Sequence, residues 1–229
     1  MPSFALNLTS VPSFVPVNLP PSFTPPEFAA HTDFFTLTAR PRTDLQRGPE
    51  NDTITAPLMY TSKCFNVAEV TVDFDGKVEG DQAGLVIFAG ARPDQNNIAS
   101  RYLRKWLKVG LELLSDVHRI VSVSAGHDGE DHCLGPLADL TSVRVKIERV
   151  VNSLHVWYQK PSDSAALLEC VPGETQAEWI LLRRIDRFFG VEKKSIHVGV
   201  YASRPVRNIW EGQRVTDELL VDFKDLDVF

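Results

Sequence analysis

Cysteine is scarce in this 229-residue chain: Cys64, Cys133 and Cys170 are odd in number and far apart. That pattern suggests free thiols and a reducing compartment, so a cytoplasmic location is expected. The sequons at Asn7 and Asn51 then read as chance matches. No apolar run reaches the length that spans a bilayer, so no membrane role is expected. No Lys or Arg precedes Arg40, and prolines break the apolar stretches before it, which excludes a secretory-signal pattern. A basic block is missing too: the net charge is -6 with both signs spread along the chain, which disfavours nucleic-acid binding. There is no Gly-x-Ser-x-Gly, no Gly-rich phosphate loop and no dinucleotide fingerprint, so no cofactor is expected. A fixed-period repeat is also absent.

What the chain does have is a core and a pattern. Hydrophobic content of 43% beside 24% charged residues is ordinary for a soluble globule. Residues 1–30 form a Pro-rich arm in which Pro2, Pro12, Pro16, Pro20, Pro21, Pro25 and Pro26 forbid a regular helix. Phe4, Leu6, Phe14, Val15, Phe23 and Phe28 punctuate it, so the arm is expected to lie along the body with some rings inserted. Residues 31–229 are expected to form one domain. Within it, short alternating runs recur: 34–39, 67–74, 83–88, 106–113, 119–124, 143–149, 154–159, 179–183, 196–202 and 219–223. Turn formers such as Asp75-Gly76, Val151-Asn152-Ser153 and Pro172-Gly173 separate them. Antiparallel strands without intervening helices predict an all-β sandwich or barrel.

The run from Lys105 to Leu113 carries the most information. At period two, Leu107, Val109, Leu111 and Leu113 share one face, and Trp106, Lys108, Gly110 and Glu112 share the other. The second face holds an aromatic, a cation, a gap and a carboxylate in a row, the makings of a ligand-site floor. Residues 94–114 also admit an amphipathic helix, because Ile98, Tyr102, Trp106, Val109 and Leu113 fall near helical spacing. Gly110 argues weakly against it.

Asp81-Gln82-Ala83-Gly84-Leu85 followed by Trp106-Leu107-Lys108-Val109-Gly110-Leu111-Glu112 resembles the paired signature of the regulation-of-enolase-like family. Segments 39–45, Ala56-Pro57, Arg183 before Phe188-Phe189, 197–205 and 221–226 support the likeness over about residues 33–228. Gln46 stands where the family has an aromatic, and the stretch from Ala89 to Lys105 is longer and more polar than the family's. The resemblance implies a concanavalin A-like jelly-roll β-sandwich of two antiparallel sheets, and a regulatory or carbohydrate-linked role. It also favours a strand after Lys105, and it makes an enolase-type protein partner conceivable. On that fold a concave groove would hold Gln82, Trp106, Lys108 and Glu112, with Gly84 and Gly110 leaving its floor open. Parity adds His197 and Tyr201, and pairs His155 with Trp157; Arg183, at a family position, would reach the groove.

The leading expectation is ligand binding, of a carbohydrate or a small metabolite, by Gln82, Trp106, Lys108, Glu112, Trp157, Arg183 and Tyr201, with Trp106 as a stacking plane. The alternative is a cofactor-independent isomerase, lyase or cyclase in which Glu112, with Lys108 or His197, moves protons. A glycoside hydrolase is a weaker expectation, since it needs two carboxylates about 5–10 Å apart and Glu112 stands alone on its strand. The stretch 127–133 has metal-ligand residue types in no common spacing and reads as a solvated hairpin loop, so no metal is expected. The three cysteines read as unpaired small core or surface residues. Trp210 could cover a groove edge or anchor a loop.

Overall fold

The computed structural model describes residues 14–26, 31–48, 52–62, 64–95, 102–137, 140–159, 178–189, 195–205, 209–210, 213–214 and 217–229. Among these, the strands are β1 (Val15–Val17), β2 (His31–Ala39), β3 (Leu45–Arg47), β4 (Asp52–Ile54), β5 (Leu58–Thr61), β6 (Val67–Asp73), β7 (Gln82–Ala89), β8 (Lys105–Leu114) and β9 (Val117–Gly126). They continue with β10 (Gly129–Leu137), β11 (Ser142–Val150), β12 (Ser153–Gln159), β13 (Ile180–Ile185), β14 (Ile196–Ser203), β15 (Ile209–Trp210), β16 (Gln213–Arg214) and β17 (Leu219–Val228). One sheet runs β1-β5-β14-β7-β8-β9-β10 and the other β13-β12-β11-β6-β17-β2, with antiparallel neighbours throughout. The fold is a jelly-roll β-sandwich.

Alternation builds the core. Val143, Val145 and Ile147 of β11 are fully buried between the sheets, as are Leu107 and Val109 of β8 and Val198 and Val200 of β14. Apolar alternates from both inner faces interlock in this layer, as aligned sheets require. Residues 105–114 are therefore strand, and the helical reading fails there. Ser115 and Asp116 turn β8 into β9 with φ of 53° and 61°, the two left-handed residues of a tight hairpin whose twist suits the strands it joins.

The sandwich also draws on the Pro-rich segment. β1 pairs with β5 through Val15, Pro16 and Val17, Phe14 is buried in the inter-sheet core, and Leu19 and Phe23 pack against it. Phe4, Leu6, Phe28 and the Pro172-Gly173 turn lie outside the described residues.

Two local expectations need correction. The stretch 127–133 is not all loop: only the turn at its start is, and β10 pairs residue by residue with β9 from Gly129 to Leu134. Polar residues form a strand there because this is a sheet edge. Gly84 and Gly110, which face each other across β7 and β8, do not simply leave space. A Cβ on Gly84 would lie 1.9 Å from the Val109 carbonyl oxygen, and one on Gly110 1.8 Å from that of Ala83. Backbone approach demands glycine at both.

Candidate functional site

The outer face of the seven-stranded sheet is not bare. Val86, Phe88, Trp106, Val121, Val123, Ala125, Leu58, Tyr60 and Tyr201 form a second apolar cluster, capped by Leu45 of β3 and Ile54 of β4. The β3–β4 hairpin lies on this face and is fastened by a buried charge network. Arg47 Nε and Nη2 donate to Asp52 at 2.7 and 2.9 Å, and Arg104 Nη1 reaches the same carboxylate at 3.4 Å. Arg47 also donates to the carbonyls of Gly126 and of Arg104, the latter at 3.0 Å, and its backbone N–H donates to Glu130. Arg104 Nε and Nη2 tie to the carbonyls of Ala91, Arg92 and Gln95 at 3.0, 2.6 and 2.6 Å. Two guanidiniums on one carboxylate, with carbonyls taking the remaining protons, satisfy charges that burial would otherwise penalise.

Beside the hairpin lies the row expected from the sequence. Lys108 is 6% exposed, and its ammonium donates to the Leu45 carbonyl and to Gln82 Oε1, both at 2.7 Å. Tyr201 Oη donates to the same Gln82 oxygen at 3.4 Å, and Lys108 Nζ sits 5.7 Å from the centroids of both the Trp106 and Tyr201 rings. Burial lowers the Lys108 pKa, against the pull of Asp44, Glu112 and Glu130. Glu112 pairs in register with Gln82 and is half-buried. Arg119 stands opposite it across β8 and β9 without an ion pair, and among the described residues its carboxylate accepts no hydrogen bond. Burial raises the Glu112 pKa, opposed by Lys108 and His132. Asp44, just before β3, is raised for the same reason, opposed by Lys108. Its Oδ1 accepts the Leu45 N–H at 2.7 Å. Tyr201 is pushed well above the ordinary phenol value by burial and by Glu112 and Asp44. At the sheet edge, His132 Nε2 meets Glu130 Oε2 at 3.1 Å.

The fold thus gathers Gln82, Lys108, Glu112 and Tyr201, and leaves the other expected residues apart. Trp106 is fully buried beneath the hairpin, so it offers no open stacking plane. His197 shares the outer face but pairs with Phe88, six positions along β7 from Gln82, about 20 Å from the Glu112 level. Trp157 belongs to β12 in the other sheet, on the face away from the core; its ring lies 5.4 Å from Lys146 Nζ, which in turn lies 4.1 Å from the Trp179 ring. Arg183 of β13 binds Asp131 and the carbonyls of Ser122 and Asp131, joining the open edges of the two sheets rather than lining a groove. Trp210 pairs with Gln213 in the β15–β16 ribbon, and its side chain lies outside the described part.

The member missed was Asp44, which lies far from Glu112 in the sequence and acts on its charge in the fold. The β3–β4 hairpin brings it back, and only its position in the Thr43-Asp44-Leu45 motif marked it. Glu130 and His132 were hidden in the presumed loop. Among the described residues, no group of three His, Cys, Asp or Glu could hold a metal, and no helix is long and apolar enough to cross a membrane.

No curated protein matches the chain. A functionally unknown protein from Saccharomyces cerevisiae has a similar structure, with a TM-score of 0.62 at 16% identity, covering 96% of each chain. The GH43 BlXynB protein from Bacillus licheniformis gives 0.54 at 14% identity, over 85% of this chain and 32% of that one. Xylan beta-1,4-xylosidase from Bacillus halodurans gives 0.51 at 14%, over 82% of this chain and 32% of that one. This chain therefore spans about a third of those two, and the likenesses establish the sandwich fold alone. Residues 22–228 match the family described as "Protein of unknown function (DUF1349)", and the chain belongs to that family.

Proposed function

We propose that the protein binds a small hydroxyl-rich ligand, of the carbohydrate class, where the partly exposed Asp44 and Glu112 lie beside the buried Gln82, Lys108 and Tyr201. One observation carries the reading: Glu112 is half-buried beside a buried lysine and yet accepts no hydrogen bond from a described residue. Its oxygens stay open to solvent, so ligand hydroxyls can replace water on them, and hydrogen bonds to an ionised carboxylate are the stronger kind. Asp44 offers a second partly buried acceptor near Lys108, with one oxygen already bonded to the Leu45 N–H. Lys108, already bonded to Leu45 and Gln82, serves as the fixed countercharge that keeps both carboxylates nearby. With Trp106 covered, recognition rests on hydrogen bonding rather than stacking. A sandwich resembling about a third of a xylan xylosidase suits such a ligand.

Titration calorimetry with xylo-oligosaccharides, followed by other neutral glycans, tests this. Saturable binding that weakens more than tenfold in Glu112→Gln supports the reading; a flat response across the panel overturns it. The raised Glu112 pKa favours a second reading, in which Glu112 moves a proton on a bound metabolite. Under it Glu112→Gln still binds the ligand but loses turnover.

A further inference from the structure

The sequence contains no serine-nucleophile motif, but folding assembles a serine–histidine pair from residues far apart. Ser62, just beyond β5, is exposed, and its Oγ lies 2.8 Å from Nδ1 of His197 on β14. His197 is only 3% exposed, and its Nε2 has no hydrogen-bond partner. Packing fixes the ring: Tyr60 meets it edge-on with centroids 5.3 Å apart and planes at 80°. Tyr60 Oη accepts from Arg92 Nε at 3.0 Å and lies 3.4 Å from Asp94 Oδ1, while Arg92 and Asp94 form a two-pronged pair at 3.0 and 2.6 Å.

We propose that Ser62 is a nucleophile activated by His197, able to react with small carboxylic esters. The arrangement separates the two tasks. The nucleophile faces solvent, where an ester can reach it, and the base is shielded. The charged and titratable groups facing the imidazole are Tyr60 of β5, Arg92 and Asp94 of the segment after β7, and Arg104 before β8. Burial, Arg92 and Arg104 favour the neutral ring; Asp94 and the Gly90 backbone oppose them. A neutral imidazole with Nδ1 turned to the serine can accept its proton, the pairing that nucleophilic catalysis needs. No carboxylate bonds Nε2, so the unit is a dyad, and burial does the orienting that an acid does in a triad.

In the reaction, Oγ bonds to the ester carbonyl carbon as its proton passes to Nδ1. Expulsion of the alcohol breaks the carbon–oxygen bond and takes the proton from Nδ1. Water then attacks the acyl-serine by the same route and releases the carboxylic acid, restoring the serine.

The test uses the full chain with p-nitrophenyl acetate and, separately, a fluorophosphonate whose P–F bond Ser62 would displace. The expected result is a mapped adduct on Ser62, absent in Ser62→Ala and formed at least tenfold more slowly in His197→Gln, with Glu218→Gln at the parent rate. The labelling rate should rise with pH along one proton loss centred below 6.5, the ordinary imidazole value. That profile decides the matter even where His197→Gln does not fold. No Ser62 adduct, a His197→Gln rate equal to the parent's, or a pH profile without that step overturns the proposal.

Discussion

Asp81 and Arg204 form a buried, two-pronged ion pair: Arg204 Nε donates to Oδ1 at 2.8 Å and Nη2 to Oδ2 at 2.7 Å. Arg204 Nη1 also donates to the Asp217 carbonyl at 2.6 Å, and Asp81 Oδ2 accepts the N–H groups of Lys77 and Val78, both at 3.1 Å. The pair anchors the turn before β7 to the end of β14. Both residues belong to the motifs that carry the family likeness, so part of that signature is structural and not ligand-reading. Removing one partner strands a buried charge. Arg204→Ala should lower unfolding stability by about 3–5 kcal/mol, measured by denaturant titration, while Arg204→Ala in an Asp81→Ala background costs clearly less.

Gly110 answers for the backbone between β7 and β8. In Gly110→Ala the new methyl would sit 1.8 Å from the Ala83 oxygen, and backbone cannot yield as a side-chain tip does. We expect a loss of about 3 kcal/mol by the same titration, the upper range for overpacking. Gly126→Ala, with open space around the added carbon, should change little.

Lys108 holds the β3–β4 hairpin to the sheet through the Leu45 carbonyl. Lys108→Ala deprives Leu45 O of its side-chain donor and leaves Gln82 Oε1 only the long bond from Tyr201, at about 1–3 kcal/mol for a buried group left unmet. Hydrogen exchange should therefore quicken in β3 and β4, 45–47 and 52–54, while the inter-sheet strands stay protected. Uniform exchange across the sandwich would contradict this role.

The Glu112 carboxyl titrates higher in the fold than in the unfolded chain, because burial disfavours its charge. The native state then holds the proton over a window in which the unfolded state has lost it. Stability is greatest below the ordinary carboxylate pKa and declines as pH rises through the raised value. Glu112→Gln should flatten that decline, seen as a smaller fall in unfolding midpoint from mildly acidic to neutral pH. An unchanged slope would show that the carboxylate is not penalised by its surroundings.

Alternation made the long strands legible. Burial of one face imposes period two, and the ten runs read from it all fall in or on strands of the sandwich. The same parity put Gln82, Lys108, Glu112 and Tyr201 on one outer face. It failed where structure comes from long-range cover instead of pattern. Nothing local marks Leu45–Arg47 and Asp52–Ile54 as a hairpin laid over Trp106, since the Arg47–Asp52–Arg104 network that fastens it spans distant segments. Without that cover Trp106 looks like a sugar platform; with it the indole is core. Parity also cannot tell two sheets apart, so Trp157 shares the right alternation in the wrong layer. Nor can it measure distance along a strand, which separates His197 from Glu112.

The most direct test is titration calorimetry of the parent chain and of Glu112→Gln and Asp44→Asn against neutral oligosaccharides at pH 7. The account predicts one saturable site in the parent, weakened more than tenfold, at least about 1.4 kcal/mol, by either change. Equal affinity in all three proteins, or no heat in any, would contradict it.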